Sequence, residues 1–126
     1  MQSKNFKDRI MAELDSSYDF IKESINCMKS YPKWSETLKN ISDDKYDHAM
    51  QLYRMFIELY LDTKDHDAYM NSIRDATIEM FATKSRKIDD YRITYDMIIT
   101  GSERKNEDER DTTEWRNCKT LWVRAL

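Results

Sequence analysis

Glycine and proline are almost missing from this sequence: Gly101 and Pro32 are the only ones in 126 residues. Left-handed turns, tight hairpins and strand bulges lean on glycine, and turns draw heavily on proline. Their scarcity excludes a β-sandwich, a barrel or an α/β enzyme with a glycine-rich phosphate loop. Cysteine is nearly as rare. Cys27 and Cys118 stand far apart, without metal-clip spacing and too few for a disulfide framework, so free thiols in a reducing compartment are expected. No window approaches the ~18 apolar residues of a membrane span, and MQSKNFKDRIMAELD has no apolar core for a signal peptide. The expectation is a soluble, cytoplasmic protein with no membrane partner.

Charge of one sign is lacking too. Twenty-four acids against 21 bases leave a net charge of −3, which argues against direct nucleic-acid binding, where a basic face supplies most of the affinity. The imbalance is local. Asp43, Asp44, Asp47, Glu58, Asp62, Asp65 and Asp67 outnumber Lys45, Arg54 and Lys64 in one stretch. Capping aspartates and a solvated helix face account for such a stretch, and so does a surface that meets a basic partner. Lys84, Arg86, Lys87 and Arg92 form a smaller basic cluster, without glycines or an aromatic platform beside it.

What is present is amphipathic helix. Apolar residues make up 40% and charged residues 36%, the balance of narrow apolar stripes beside wide solvated faces. Met11, Leu14, Tyr18, Ile21, Ile25 and Met28 alternate steps of three and four, a coiled-coil-like seam that predicts a helix over Lys4–Lys29. Pro32 ends it. Trp34, Leu38 and Ile41 predict a short helical turn, after which Ser42 reads as N-cap and Asp43 and Asp44 as the acidic first turn of a second helix to Leu61. Tyr46, Met50, Tyr53, Ile57 and Tyr60, widened by Leu52, Met55, Phe56 and Leu59, make that helix broad enough to be the central member of a bundle. A third stripe runs from Tyr69 to Ile98, either as one long helix through the polar run at Ser85, the favoured reading, or with a bend there, and Gly101 is its left-handed C-terminal cap.

The expected fold is therefore all-α: a small bundle of three long helices plus one or two short ones, over residues 1–101. Residues 102–114 read as a charged linker or frayed helix, and 115–126 as a short helix on Trp115, Cys118, Trp122 and Ala125.

Catalytic signatures are weak. Di-iron bundles need Glu-x-x-His pairs and zinc proteases His-Glu-x-x-His; neither His48 nor His66 has that context. Asp44 with His48, and Asp62 with His66, share a helix face, but an 18-residue helix would hold the two pairs about 27 Å apart. Asp44/Asp47 and Asp62/Asp65 have the carboxylate spacing of magnesium-dependent nucleotide hydrolases, again at two ends of one helix. No metal site and no cofactor is assigned. By elimination the expected function is non-enzymatic protein binding. Trp115, Trp122, Asp62, Asp65, Asp67, Asp43 and Asp44 are the candidate contacts, and the partner is another protein with a basic or apolar surface. The abundance of Phe, Tyr, Met, Ile, Asn and Lys, whose codons are AT-rich, suggests a phage or mobile-element inhibitor of a host or defence enzyme such as a CRISPR effector or RNA polymerase. Two other readings stand beside it, a metal-dependent all-α nucleotide hydrolase and a structural homodimer built on the seam of the first helix.

Overall fold

Heptad-spaced small and apolar residues draw the chain into three antiparallel helices in a computed structural model that describes residues 3–63 and 65–107. Helix α1 spans Ser3–Asn26, α2 Pro32–Asp62 and α3 Ala68–Glu107. Pro32 sits in the first turn of α2, where its missing N–H costs nothing. Thr63 closes α2 from an extended conformation, its N–H bonded to the carbonyls of Leu59 and Tyr60. Asp67 caps α3, accepting the Met70 N–H at 2.7 Å.

The buried residues of α2 are Ser35, Ser42, Ala49 and Phe56, each seven positions after the last. Facing them on α1 are Ile10, Ser17 and Ser24, also seven apart and 0% exposed. The two helices are stitched by reciprocal serine pairs. Ser17 Oγ donates to the Ser42 carbonyl at 2.9 Å while Ser42 Oγ donates to the Ser17 carbonyl at 2.7 Å. Two turns away, Ser24 Oγ donates to the Ser35 carbonyl at 2.6 Å and Ser35 Oγ returns the bond to Ser24 at 2.7 Å. A serine side chain is too short to reach an opposing backbone carbonyl unless the helix axes lie near the short end of the usual ~8–10 Å. Each hydroxyl is satisfied, so its hydrogen bond offsets the cost of desolvating it.

Helix α3 runs antiparallel to α2 and parallel to α1, and it completes two core clusters. Phe6, Ile10, Leu14, Ala49, Phe56 and Ile88 form one; Ile21, Ile25, Tyr91, Tyr95 and Ile98 form the other. Tyr18 meets Tyr91 edge-on at 5.3 Å. Burial, and then the neighbouring Tyr18 hydroxyl, push the Tyr91 phenol up to about 12.

Five expectations change. There is no separate short helix over 34–41, since α2 is continuous from Pro32. Ser42 is therefore no cap: it lies in mid-helix, its hydroxyl spent across the α1–α2 seam. Asp43 and Asp44 consequently stand within α2 rather than at its start. The middle helix is α1, which packs closely on both others, whereas α2 and α3 meet chiefly through long side chains. Gly101 lies buried inside α3, with no positive φ, and the helix continues to Glu107. Within the α1 seam Leu14, Ile21 and Ile25 are at most 1% exposed and pack inside the chain. Helix α3 passes unbroken through Ser85, as its stripe predicts. The expected helix over 115–126, with Trp115 and Trp122, lies outside the described residues.

Candidate protein-binding face

Helix α2 carries apolar residues on three flanks, and the bundle uses two of them. The first is the serine seam to α1. The second holds Tyr46, Tyr53 and Tyr60 against α3: Tyr53 stacks on Phe81 at 4.1 Å, Tyr46 lies 6.5 Å from the same ring, and Tyr60 hydroxyl accepts from Arg74 at 2.8 Å. Burial raises the Tyr53 phenol above its ordinary value. These tyrosines act as core anchors with polar tips, the ordinary role for such residues at a helix boundary.

The third flank is the row Trp34, Leu38, Ile41, Lys45, His48, Leu52, Met55 and Leu59, stepping by four and three for most of the helix. It faces away from α3. Trp34 is 63% exposed, Met55 51% and Leu59 39%, while Leu38, Ile41 and Leu52 are half-buried against the hairpin. Trp34 stacks on the exposed Tyr31 at 4.3 Å, which braces the upper end of the row. Beside it run Glu13 and Phe20 on α1 and, seven further on in the turn after the helix, Cys27. The two rows meet where Lys45 Nζ and His48 Nδ1 approach Glu13 Oε2 at 3.7 and 3.8 Å. Both distances exceed a hydrogen bond, and that buried oxygen has no hydrogen-bond partner. The face is thus apolar at both ends and polar at its centre.

The acidic residues are divided. Asp62, Asp65 and Asp67 gather, all exposed, at the α2–α3 turn. Asp67 is occupied as the cap of α3. Asp43 and Asp44 stand about 27 Å away along α2, at ~1.5 Å per residue. Asp43 is spent inside the fold, accepting from Arg92 at 2.7 Å and from Lys39 at 2.7 Å, with the Arg92 guanidinium lying over the Tyr46 ring. Asp44 is exposed. The basic cluster divides as well, because Arg92 serves Asp43 and Lys84 pairs with Asp15 at 2.6 Å. Lys84 and Lys87 line an open α1–α3 groove of 370 Å³ with Lys7, Met11 and Met80.

His66 stacks on Tyr60 at 3.8 Å and its Nε2 lies 2.6 Å from the Tyr60 carbonyl oxygen. Both contacts with Tyr60 hold it to the turn. Among the described residues no three His, Cys, Asp or Glu side chains converge as a metal site would require, and no helix is long and apolar enough to cross a membrane. Compared with known protein families, curated proteins and solved structures, the chain matches none.

Sequence reasoning found the pieces of this face but not the face. Trp34, Leu38 and Ile41 read as a separate helix, and Leu52, Met55 and Leu59 as extra breadth on the next. Lys45 and His48 interrupt the stripe, and the Ser42-Asp43-Asp44 run imitates a helix start. The signal that joins the pieces is the unbroken four-three spacing through residue 45 to residue 48.

Proposed function

We propose that this chain is a protein-binding module that acts by occupying a surface rather than by catalysis. The observation that carries the reading is the outward row of α2, apolar at both ends around Lys45 and His48, which is left over after α1 and α3 have packed. Apolar patches rimmed by polar groups mark interaction sites on soluble domains, and tryptophan and methionine are enriched at interface centres. The exposed Asp62 and Asp65 at one end of α2 add a negative field that speeds encounter with a basic surface. The codon-linked residue bias supports a phage or mobile-element origin, with a host or defence enzyme as the target.

Co-purification of the tagged chain from its native host, read by mass spectrometry, tests this. A specific partner is expected on the wild-type chain. Trp34→Ala should weaken its binding by about thirtyfold, the effect of ~2 kcal/mol at an interface anchor. Trp34→Glu with Met55→Glu should abolish capture while circular dichroism stays helical. The same partners at the same yield on both chains would refute the assignment of the face.

A further inference from the structure

We infer that the α1–α2 face is completed by a second copy of this chain, with α1 of each protomer lying on α2 of the other about a twofold axis parallel to the helices. The inference rests on the reading of this face as a binding surface and names its occupant in the chain alone, with which any target protein would compete.

Three observations lead there. The first is size. On the serine register α1, which starts at Ser3, reaches the row only from Trp34 to Met55, about 32 Å at ~1.5 Å per residue. Two helices side by side, at the usual spacing and diameter, are about 20 Å across. Their product, on the order of 600 Å², lies at the lower end of the ~600–1,000 Å² that each partner contributes to a standard stable interface.

The second is register. In the antiparallel hairpin, the Ser17–Ser42 and Ser24–Ser35 pairs fix which residues share a level. On that register Glu13 stands level with Lys45 and His48, Phe20 with Leu38 and Ile41, and Cys27 close to Trp34. An axis parallel to the helices brings α1 of one copy over α2 of the other at the same level. Phe20 then enters the space between the partner copy's Leu38 and Ile41, and an apolar layer forms above the polar one.

The third is charge. Glu13 Oε2 is buried without a hydrogen bond, and its own Lys45 and His48 stop short at 3.7 and 3.8 Å. In the arrangement inferred here, each Glu13 also meets the lysine and histidine of the other copy, so the orphaned oxygen gains the donor that it lacks. The other twofold arrangement, with the axis across the helices, would set Glu13 against Glu13 and the bases against each other, and like charges so placed are repelled. A single polar layer within an apolar seam is also how paired helices fix register and orientation.

The test is a charge-swap mixture followed by light scattering. The wild-type full chain should pass from monomer to dimer within the micromolar range. Glu13→Lys alone and Lys45→Glu alone should each weaken self-association by about tenfold or more, since each homodimer then repeats a like-charge pair. An equimolar mixture of the two variants should recover it, as a dimer containing one chain of each. Mixing leaves every contact within a chain unchanged, so recovery reports contacts between chains alone. Circular dichroism of each variant confirms that it is folded; if either is not, Leu38→Glu replaces it, and dimer loss with helicity kept is the expected result. A wild-type chain that stays monomeric at high micromolar concentration would overturn the inference. So would variants whose mixture associates no better than either alone. Capture of a different protein on the same face by a monomeric chain would leave the binding reading standing and remove only the second copy.

Discussion

Ser42→Leu is expected to destabilise the fold by about 3–4 kcal/mol, whereas Ser42→Ala should cost only about 1 kcal/mol. The asymmetry follows from the seam. Ser42 is 0% exposed and touches the backbone of α1 through its hydroxyl. Alanine removes that bond but leaves Ser17 Oγ still donating to the Ser42 carbonyl, so the helices stay at the same distance. Leucine adds three carbons where the axes are closest. It forces the helices apart, strains rotamers and breaks the Ser17 bond together with its own. Against a typical total of ~5–15 kcal/mol, that loss removes a large share of the stability. Urea denaturation of the two variants measures it. Equal midpoints for Ser42→Leu and Ser42→Ala would mean that the seam is not close-packed.

Phe56→Ala should cost about 3–5 kcal/mol, the range for truncating a buried phenylalanine. Phe56 is 1% exposed, lies 6.3 Å from Phe6 ring to ring, and joins all three helices in one cluster. Its neighbour in sequence, Met55, is 51% exposed on the outer row, and Met55→Ala in the dilute monomer should change stability by no more than ~0.5 kcal/mol. Thermal unfolding at low protein concentration separates the two. A similar loss at both positions would place the outer row in the core of the monomer.

The legible part of this fold was its class and its long stripes. The apolar spacing of α1 and the passage of α3 through Ser85 both follow from side-chain periodicity, which tertiary packing reinforces. What misled were residues whose local meaning was overruled by packing. Ser42 followed by two aspartates reads as a helix start because a serine hydroxyl can bond its own backbone; here that hydroxyl finds a better acceptor on α1. Gly101 reads as a cap because glycine tolerates positive φ, but a helix interior accepts it at about 1 kcal/mol. The breadth of α2 is visible in the sequence and implies a central helix with two neighbours. In the structure α2 does have two neighbours, and still a third flank remains. The small residues at 17, 24, 35, 42 and 49 carried the missing information. Small side chains at seven-residue spacing mark where two helices approach most closely, and they identify α1 as the helix that α2 packs on.

Of the candidate site residues, Asp62 and Asp65 remain exposed at one turn and Asp44 remains exposed within α2, while Asp43 and Asp67 are engaged within the fold. Aspartate serves as cap, ion-pair partner and surface charge alike, and sequence spacing alone does not separate the three.

The most direct test of a spare α2 face that a second copy covers is thiol labelling at position 55. In a chain carrying Cys27→Ser, Cys118→Ser and Met55→Cys, the single thiol should react rapidly when the protein is dilute, because no described helix covers that flank. As concentration rises through the micromolar range, the rate should fall in step with dimer formation, while Thr77→Cys in the same background, at a position 0% exposed, reacts slowly throughout. Slow labelling of position 55 even in dilute solution, or rapid labelling at every concentration, would contradict the account.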